Sequence, residues 1–370
     1  MVGGSGDALM KILLVRLRLI GDVVFTTPIV RALRTRFPDA HLSYLVEPAA
    51  APILARNPHL NELIVVPRRS GFARIADDLT LARRLHGAHF DIAIDLHGGP
   101  RAAWFAWSTR APMRIGYAIQ GRSWMYTHVV ERAADLAPRH SVANQADLLR
   151  PLGIDGCDPI REPMEMADDP AVGERVRARL AENGVQSATL IVVMHVSAGN
   201  PFRRWPAASF AATAAALVRD HPDLHVIVVS GPSDHAAAAA IVDDARRRAC
   251  GAGARIVDGD YDLVELRELI ARSAVYIGGD SGPLHVAATT HTPIVELLGP
   301  TLAERSRPWR DRGWFTEIVD AGALPCRPCD QRRCVPGDFR CLTSISAEQV
   351  IAATERALMQ RTGAIAGSRA

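Results

Sequence analysis

The sequence predicts an α/β protein made of two similar domains, each with a parallel sheet and covering helices. Short aliphatic runs alternate with helix-like segments, a pattern typical of βαβ units whose strands are buried on both faces. The chain has 370 residues, 48% of them hydrophobic, which is enough for two cores. Strand-like runs occur at 12–15, 42–46, 63–66 and 92–96, and again at 190–194, 226–229, 254–257, 274–277 and 294–298.

Helical segments are expected between these runs, near 29–37, 79–85 and 206–219, from 234, from 263 and near 284. An internal echo supports two copies of one architecture, because Pro38-Asp39 and Pro222-Asp223 follow a helical Ala-Leu pair at the same spacing. Proline ends a helix there and aspartate suits the turn. The predicted divisions are a loose extension at 1–10, a first domain at 11–165, a second at 166–345 and a C-terminal helix and tail at 346–370.

Charge and hydropathy limit the classes of partner. A net charge of +3 argues against a nucleic-acid-binding protein. Local groups of arginines suit an anionic substrate or membrane surface, although a solvated arginine-rich surface explains them equally well. Because there is neither a signal peptide nor an apolar run of membrane-spanning length, we expect a cytoplasmic protein, with peripheral membrane contact left open.

In open parallel sheets, ligands bind at the carboxyl ends of the strands, and two such sheets are expected to face a common cleft. The first polar motif in such a position is Gly21-Asp22-Val23. Gly21 is expected to permit a sharp turn. Asp22 then either removes a proton from an attacking hydroxyl or caps the next helix, for which Thr27-Pro28 also provides a good start.

The second motif, GGDSGPLH at 278–285, follows a strand of the second domain. Small residues before a helix allow backbone N–H groups to approach a phosphate, with the Ser281 hydroxyl as a further donor. The alternative is an ordinary tight turn. A third motif, HVSAGNPFRRWP at 195–206, supplies arginines suited to a diphosphate, whereas Trp205 and Pro206 are expected to anchor a helix.

Four cysteines with the spacing C-x2-C-x4-C-x6-C predict either a structural zinc or iron site or a set of reduced thiols: Cys326, Cys329, Cys334 and Cys341. Other fingerprints are missing from the sequence. No G-x-G-x-x-G follows the first strand, and neither a Walker A motif nor a G-x-S-x-G elbow occurs. Nicotinamide enzymes, P-loop enzymes and α/β-hydrolases are therefore disfavoured.

These motifs, together with DIAIDLHGGPR at 91–101, resemble the ADP-heptose:lipopolysaccharide heptosyltransferases of glycosyltransferase family 9. The resemblance extends from Lys11 to about Arg356. It implies a GT-B fold and an inverting transfer that requires no cofactor, with Asp22 as the base. Donor-binding positions implied by it are Ser197, Ala198, Arg203, Arg204, Tyr261, Asp280, Ser281, Gly282 and His285. Arg203 matches a position that is usually lysine, with Arg204 as a rival.

The resemblance places the acceptor on the first domain, at Gly21, His97, Gly98 and Arg101, where His97 replaces the usual glutamine. An ADP-sugar donor, an anionic lipopolysaccharide-core acceptor and peripheral contact with the cytoplasmic face of the inner membrane are the implied partners. Three alternatives remain: a protein heptosyltransferase, suggested by the cysteine cluster, a nucleotide-sugar epimerase, and a metal-bound scaffold without catalysis.

Overall fold

The computed structural model describes residues 9–67, 69–132, 138–186 and 189–367, with side chains up to 360. The chain divides into two compact units between Ala167 and Asp168, called here the first and second unit. The predicted extension at 1–10 lies almost entirely outside the described residues, as do the last three residues of the predicted tail.

The first unit is built on a six-stranded parallel sheet in the order β3-β2-β1-β4-β5-β6. Strand β1 lies near the centre, and all its residues from Ile12 to Val15 are fully buried, as expected of a parallel strand covered on both faces. The strands are β1 Lys11–Val15, β2 His41–Val46, β3 Glu62–Val65, β4 Ile92–Asp95, β5 Met113–Tyr117 and β6 His128–Val130.

Helices connect these strands, and short 3-10 turns occur at Ser123–Met125 and Asp147–Leu152. The predicted helix at 79–85 is much longer in the structure, where it begins at Gly71. Its first two turns carry the exposed Phe72 and Ile75 and no buried stripe, so the apolar pattern did not predict them. The helices are α1 Ile20–Val24, α2 Thr27–Arg36, α3 Ala51–Leu54, α4 Gly71–Gly87, α5 Pro100–Ser108 and α6 Ser141–Ala146.

The second unit repeats the plan with a parallel sheet in the order β12-β11-β10-β7-β8-β9. The α/β prediction is therefore confirmed for both halves. The strands are β7 Leu190–His195, β8 Leu224–Val229, β9 Ile256–Gly259, β10 Val275–Gly279, β11 Ile294–Leu298 and β12 Thr316–Asp320.

Sequence-encoded caps fix several helices of the second unit. Asp169 accepts hydrogen bonds from two N–H groups at the start of α7, and Asp262 and Glu265 form a capping box on α10. The helices are α7 Pro170–Glu182, α8 Ala207–Asp220, α9 His235–Arg248, α10 Leu263–Arg272, α11 Gly282–Ala287, α12 Ala303–Ser306, α13 Arg340–Thr343 and α14 Ala347–Gly367, with 3-10 turns at Pro201–Arg203, Pro232–Asp234 and Gly253–Arg255.

Each sheet reverses its strand order once, beside β1 in the first unit and beside β7 in the second. The loops that follow β1 and β4, and those that follow β7 and β10, therefore diverge at the reversal and leave the crevice in which such sheets bind ligands. The described helices include none with the length and apolar character needed to cross a bilayer.

A tyrosine packed over a glycine organises the carboxyl end of β4. The Tyr126 hydroxyl donates a 2.6 Å hydrogen bond to Oδ2 of Asp95, which is fully buried. The Tyr126 ring lies where a side chain on Gly116 would stand, because a Cβ there would overlap three ring carbons. Gly116 on β5 is thus needed to admit the tyrosine that satisfies the buried carboxyl group.

We expect Gly116→Ala to destabilise the first unit by about 1–3 kcal/mol, the usual cost of overpacking. The added methyl group must displace Tyr126 and leave Asp95 without its hydroxyl partner. Urea unfolding measures the loss. Gly87→Ala is the matched control, because a Cβ on Gly87 meets open space at the end of α4 and should be neutral or slightly stabilising. Equal stability of Gly116→Ala and the wild type would contradict this reading.

Candidate active site

Asp22 is held by an arginine directly after β1. Arg16 is buried, its Nη1 donates to the Leu96 carbonyl at 2.9 Å, and its Nη2 lies 2.6 Å from Oδ2 of Asp22. The Asp22 side chain remains 29% exposed, so one side of the carboxylate is open to a ligand. Arg16 therefore fixes the carboxylate without enclosing it.

The turn that presents Asp22 differs from the one the sequence predicts. Gly21 lies inside α1, and the residue with left-handed backbone is Leu19, at φ 69°. Asp22 belongs to the first turn of α1 and forms an ion pair instead of capping the helix. Thr27 is not a cap either, because it is the first residue of α2 and its hydroxyl donates to the Val24 carbonyl.

The loop after β4 places a neutral histidine close to this carboxylate. Oδ1 of Asp95 accepts hydrogen bonds from the backbone N–H groups of His97 and Gly98, at 2.8 and 2.9 Å. Burial, assisted by the charges of Arg16 and Arg18 and opposed by that of Asp22, lowers the pKa of His97 to about 4. His97 is therefore uncharged near neutral pH and can hydrogen-bond a hydroxyl group in either tautomer.

Gly98 adopts a φ of +74°, and a Cβ there would lie 2.6 Å from Ile119, so this position requires glycine twice over. Arg101, the arginine expected at the acceptor site, differs from the neighbouring Arg18 in its ion pairing. Arg101 is paired by Asp78, which takes both Nε and Nη2, and by Glu47. Exposed Arg18 forms no ion pair among the described residues and is the better-placed cation beside Asp22 and His97.

In the second unit the loop after β7 forms a buried polar corner. The Ser197 hydroxyl accepts a hydrogen bond from the Gly231 backbone N–H at 2.8 Å, and Ala198 is buried beside it. Arg204 donates to the Ala198 carbonyl and pairs with Asp234 at 3.1 Å. Trp205 is buried and donates to the Ile345 carbonyl, which confirms its predicted role as an anchor.

The loop after β10 places a buried carboxylate close to an arginine and a histidine. Asp280 lies 3.1 Å from Nη1 of Arg203 and 3.7 Å from Nε2 of His285. Burial acts to raise the pKa of Asp280, but the hydrogen bond from His285 and the Arg203 charge outweigh it and hold this pKa below its usual value. Asp280 is therefore an anion whose role is to orient Arg203 and His285.

Ser281 and Gly282 form the start of α11, as the sequence predicts. The buried Ser281 hydroxyl makes no hydrogen bond to any atom that the structure describes, so it is a polar group whose partner is missing. Gly279 lets the chain run close to the Arg203 carbonyl, since a Cβ there would lie 3.1 Å from that oxygen. A hydroxyl, backbone N–H groups and Arg203 thus meet at one loop.

One polar residue that contacts Arg203 escaped the sequence analysis. Gln331, within the cysteine window, accepts hydrogen bonds from Arg203 and Asn200 through the same oxygen. No sequence signal marks it, because the contact joins segments about 130 positions apart. Tyr261, expected near the base of the nucleotide, is half-buried with Arg179 stacked 4.2 Å from its ring centroid.

The four cysteines line one cavity of about 670 Å³, together with Phe202, Phe339 and several prolines and arginines. Burial raises the pKa of Cys341; the charge of Arg327 opposes this shift, and the charges of the other three cysteines add to it. Within the described part of the chain, no three His, Cys, Asp or Glu side chains are arranged to hold a metal ion.

The first unit therefore offers a partly exposed carboxylate and a neutral histidine. The second offers an arginine and a free hydroxyl at a glycine-rich helix start. The first set suits removal of a proton from a hydroxyl, and the second suits an anionic leaving group.

Comparison with known proteins agrees with this chemistry. Residues 79–338 match the family model of glycosyltransferase family 9 (heptosyltransferase). Lipopolysaccharide heptosyltransferase 3 of Escherichia coli is 28% identical over 354 residues, which cover 94% of this chain and 98% of that protein.

Two solved structures share the fold. A family 9 glycosyltransferase from Veillonella parvula aligns with a TM-score of 0.81 and 23% identity, covering 95% of this chain and 98% of that one. E. coli ADP-heptose lipopolysaccharide heptosyltransferase II aligns with a TM-score of 0.75 and 20% identity, covering 95% and 100%. The GT-B fold is thereby confirmed. The chain belongs to glycosyltransferase family 9, the heptosyltransferases, and is a glycosyltransferase.

Proposed function

We propose that this enzyme transfers a heptose from ADP-heptose to a hydroxyl group of an anionic lipopolysaccharide-core acceptor, with inversion at the anomeric carbon. The names of the relatives support this donor and acceptor. The observation that carries the proposal is the division of charge between the units, with a carboxylate at the strand reversal of the first and a cationic, donor-rich loop at that of the second.

On the acceptor side, Asp22 takes the proton of the attacking hydroxyl as its oxygen bonds to the anomeric carbon. Arg16 holds the carboxylate in one position, and the uncharged His97 orients the acceptor by a hydrogen bond. Arg18 supplies a positive charge for an acidic group of the acceptor, and Gly21 and Gly98 keep the approach open. Arg101 contributes through its contact with Glu47 and Asp78, which shapes the surrounding loops.

On the donor side, the bond between the anomeric carbon and the diphosphate oxygen breaks, and the electron pair leaves with ADP. Arg203 stabilises the growing negative charge, and the Ser281 hydroxyl and the Gly282 N–H donate to phosphate oxygens. Asp280 and His285 orient this loop. Arg204 is tied to Asp234 and the Ala198 carbonyl, so Arg203 is the better candidate for the diphosphate. Ser197 and Tyr261 are proposed to border the nucleoside.

We expect Asp22→Asn to lower kcat by about 10²–10⁴-fold, the usual contribution of a general base, while ADP binds within twofold of the wild-type affinity. The amide keeps the shape of the side chain and can still contact Arg16. Steady-state ADP release measures kcat, and calorimetry measures the affinity.

Asp39→Asn is the control, because Asp39 is exposed in a turn of the same unit. Normal turnover of Asp22→Asn would show that another group is the base.

In thermal-shift titrations the wild type should be stabilised by ADP-heptose more than by UDP-N-acetylglucosamine, since a ligand that binds the folded state raises the apparent stability. The reverse preference would refute the proposed donor.

We also propose that α4 contacts the anionic cytoplasmic face of the inner membrane. Phe72, Ile75 and Leu79 are 91%, 56% and 43% exposed and share one helix face, at spacings of three and four. Arg83 continues this face one turn further and forms no ion pair among the described residues. An apolar stripe beside arginine fits the boundary between acyl chains and anionic headgroups. The aromatic residues of α5, Trp104, Phe105 and Trp107, are less suited, because Phe105 is fully buried.

Replacing Phe72, Ile75 and Leu79 together by serine should weaken binding to vesicles containing phosphatidylglycerol by about tenfold or more, because three apolar side chains no longer enter the interface. Vesicle co-sedimentation gives the partition coefficient. Val335→Ser, at an 85% exposed position of the second unit, is the control. Equal partitioning of the triple variant and the wild type would exclude this surface.

The cysteine cluster is proposed to hold a structural zinc or iron ion. Four thiols around one cavity are a suitable donor set, and the Gln331 N–H already donates to Cys329 Sγ at 3.3 Å, as backbone N–H groups do to ligating thiolates. The sulfurs are not arranged as a metal site in this structure, so binding requires them to draw together. An ion here would brace the segment and takes no part in the transfer.

We expect the purified enzyme to contain about one equivalent of zinc or iron by elemental analysis, and Cys329→Ser or Cys334→Ser to lose it because a four-thiolate site needs all its ligands. Removal of the ion by a chelator should lower Tm. Cys250→Ser should retain the metal, since Cys250 is exposed and distant in sequence from the cluster. A metal-free wild type of unchanged Tm would contradict the proposal.

A further inference from the structure

The cysteine window, residues 326–341, reaches Arg203 in the loop after β7 through the side chain of Gln331. Oε1 of Gln331 accepts a 2.8 Å hydrogen bond from Nε of Arg203 and a 2.9 Å hydrogen bond from Nδ2 of Asn200. Gln331 lies between Cys329 and Cys334 along the chain. A segment that the transfer chemistry does not use therefore touches the arginine proposed to bind the diphosphate.

The contact determines the orientation of Arg203. A guanidinium group has five N–H donors in one plane, and two separate acceptors are enough to fix that plane. Oε1 of Gln331 accepts from Nε, and the Asp280 carbonyl accepts from Nη1 at 3.2 Å. The Asp280 carboxylate forms an ion pair with the same Nη1, with Oδ2 at 3.1 Å. The other N–H groups are left for a ligand, and the Arg203 side chain remains 30% exposed.

The chemistry of the amide also suits this position. Asp280 already places one negative charge against Arg203, and a second carboxylate would cancel the attraction that a diphosphate needs. A neutral carboxamide oxygen orients the guanidinium without reducing its charge. Glutamine therefore orients Arg203 and leaves its charge intact. An aliphatic residue would leave the charge intact but could not orient the guanidinium group, and glutamate would orient it but offset its charge.

Gln331 is itself held in place. Its backbone φ is +59°, a conformation uncommon for residues other than glycine and maintained only where the surroundings enforce it. Its N–H donates to Cys329 Sγ, and its partner Asn200 is fixed because Oδ1 of Asn200 accepts from the Phe202 N–H at 3.0 Å. The acceptor oxygen thus has a defined position relative to Arg203.

We propose that Gln331 is a positioning residue for Arg203, so that the cysteine segment forms part of the donor site. The inference rests on the proposed donor role of Arg203. Gln331 does not contact the reacting atoms, because it acts only through the guanidinium group that it orients.

The test is a double-mutant cycle read by calorimetric titration with ADP. Gln331→Met keeps the length of the side chain but removes the acceptor, and we expect the Kd for ADP to rise about tenfold, as for the loss of one hydrogen bond to a charged group. In an Arg203→Ala background the same substitution should change Kd by less than twofold, because the group it orients is gone. Gln349→Met is the matched control: Gln349 accepts a backbone hydrogen bond at the start of α14.

Gln331→Glu provides a second measurement that preserves both hydrogen bonds and the fold. Its added negative charge should weaken ADP binding more at low than at high ionic strength, and only while Arg203 is present. Unchanged ADP affinity in Gln331→Met or in Gln331→Glu at low salt, with Arg203→Ala impaired, overturns this inference alone. An equal effect of Gln331→Met in both backgrounds also overturns it. Unchanged affinity in Arg203→Ala overturns the donor role of Arg203 and this inference with it.

Discussion

The strand order of the two sheets is the constraint on which the site depends. Each sheet continues outward from a central strand and then reverses, beside β1 in the first unit and beside β7 in the second. At the reversal within each sheet, neighbouring loops turn to opposite faces of that sheet and leave a crevice. Side chains that follow the strands can point into this crevice and need not pack in the core. Asp22 and His97 occupy that position in the first unit, and Arg203 and Asp280 occupy it in the second.

A buried carboxyl group lies at the end of β4 and another directly after β10, and their surroundings stabilise them in different ways. Burial raises the pKa of Asp95, although hydrogen bonds from Tyr126 and two backbone N–H groups oppose it. Asp280 has a guanidinium partner and a histidine instead, and its pKa is lowered. Asp95 therefore fixes the shape of the loop that carries His97, whereas Asp280 holds a cation in place. The difference follows the ligand that each side is proposed to bind, a sugar hydroxyl or a diphosphate.

The sequence was sufficient for the elements that are buried on both faces, and for the motifs that directly follow them. Strands β5, β6 and β12 were not predicted, because they lie toward the sheet edges and are only partly aliphatic; His128 and Val129 of β6 are exposed. The turn at Leu19 was assigned to Gly21, since glycine is the usual residue for positive φ. Tyr126 and Gln331 depend on contacts between distant segments, which no local pattern encodes.

A further buried acid, Glu296, affects the charge around the loop that follows β10. Glu296 on β11 pairs in register with Gly278, and Tyr276 reaches over the same glycine, where a Cβ would lie 2.6 Å from its hydroxyl oxygen. Burial and the negative charge of Asp280 raise the pKa of Glu296 well above its usual value. Its surroundings therefore favour the neutral carboxyl group, whereas the pKa of Asp280 is lowered and Asp280 is the anion that faces Arg203. Since an ionised Glu296 would add a second negative charge behind the loop, the raised pKa of Glu296 favours the positive potential that attracts a diphosphate.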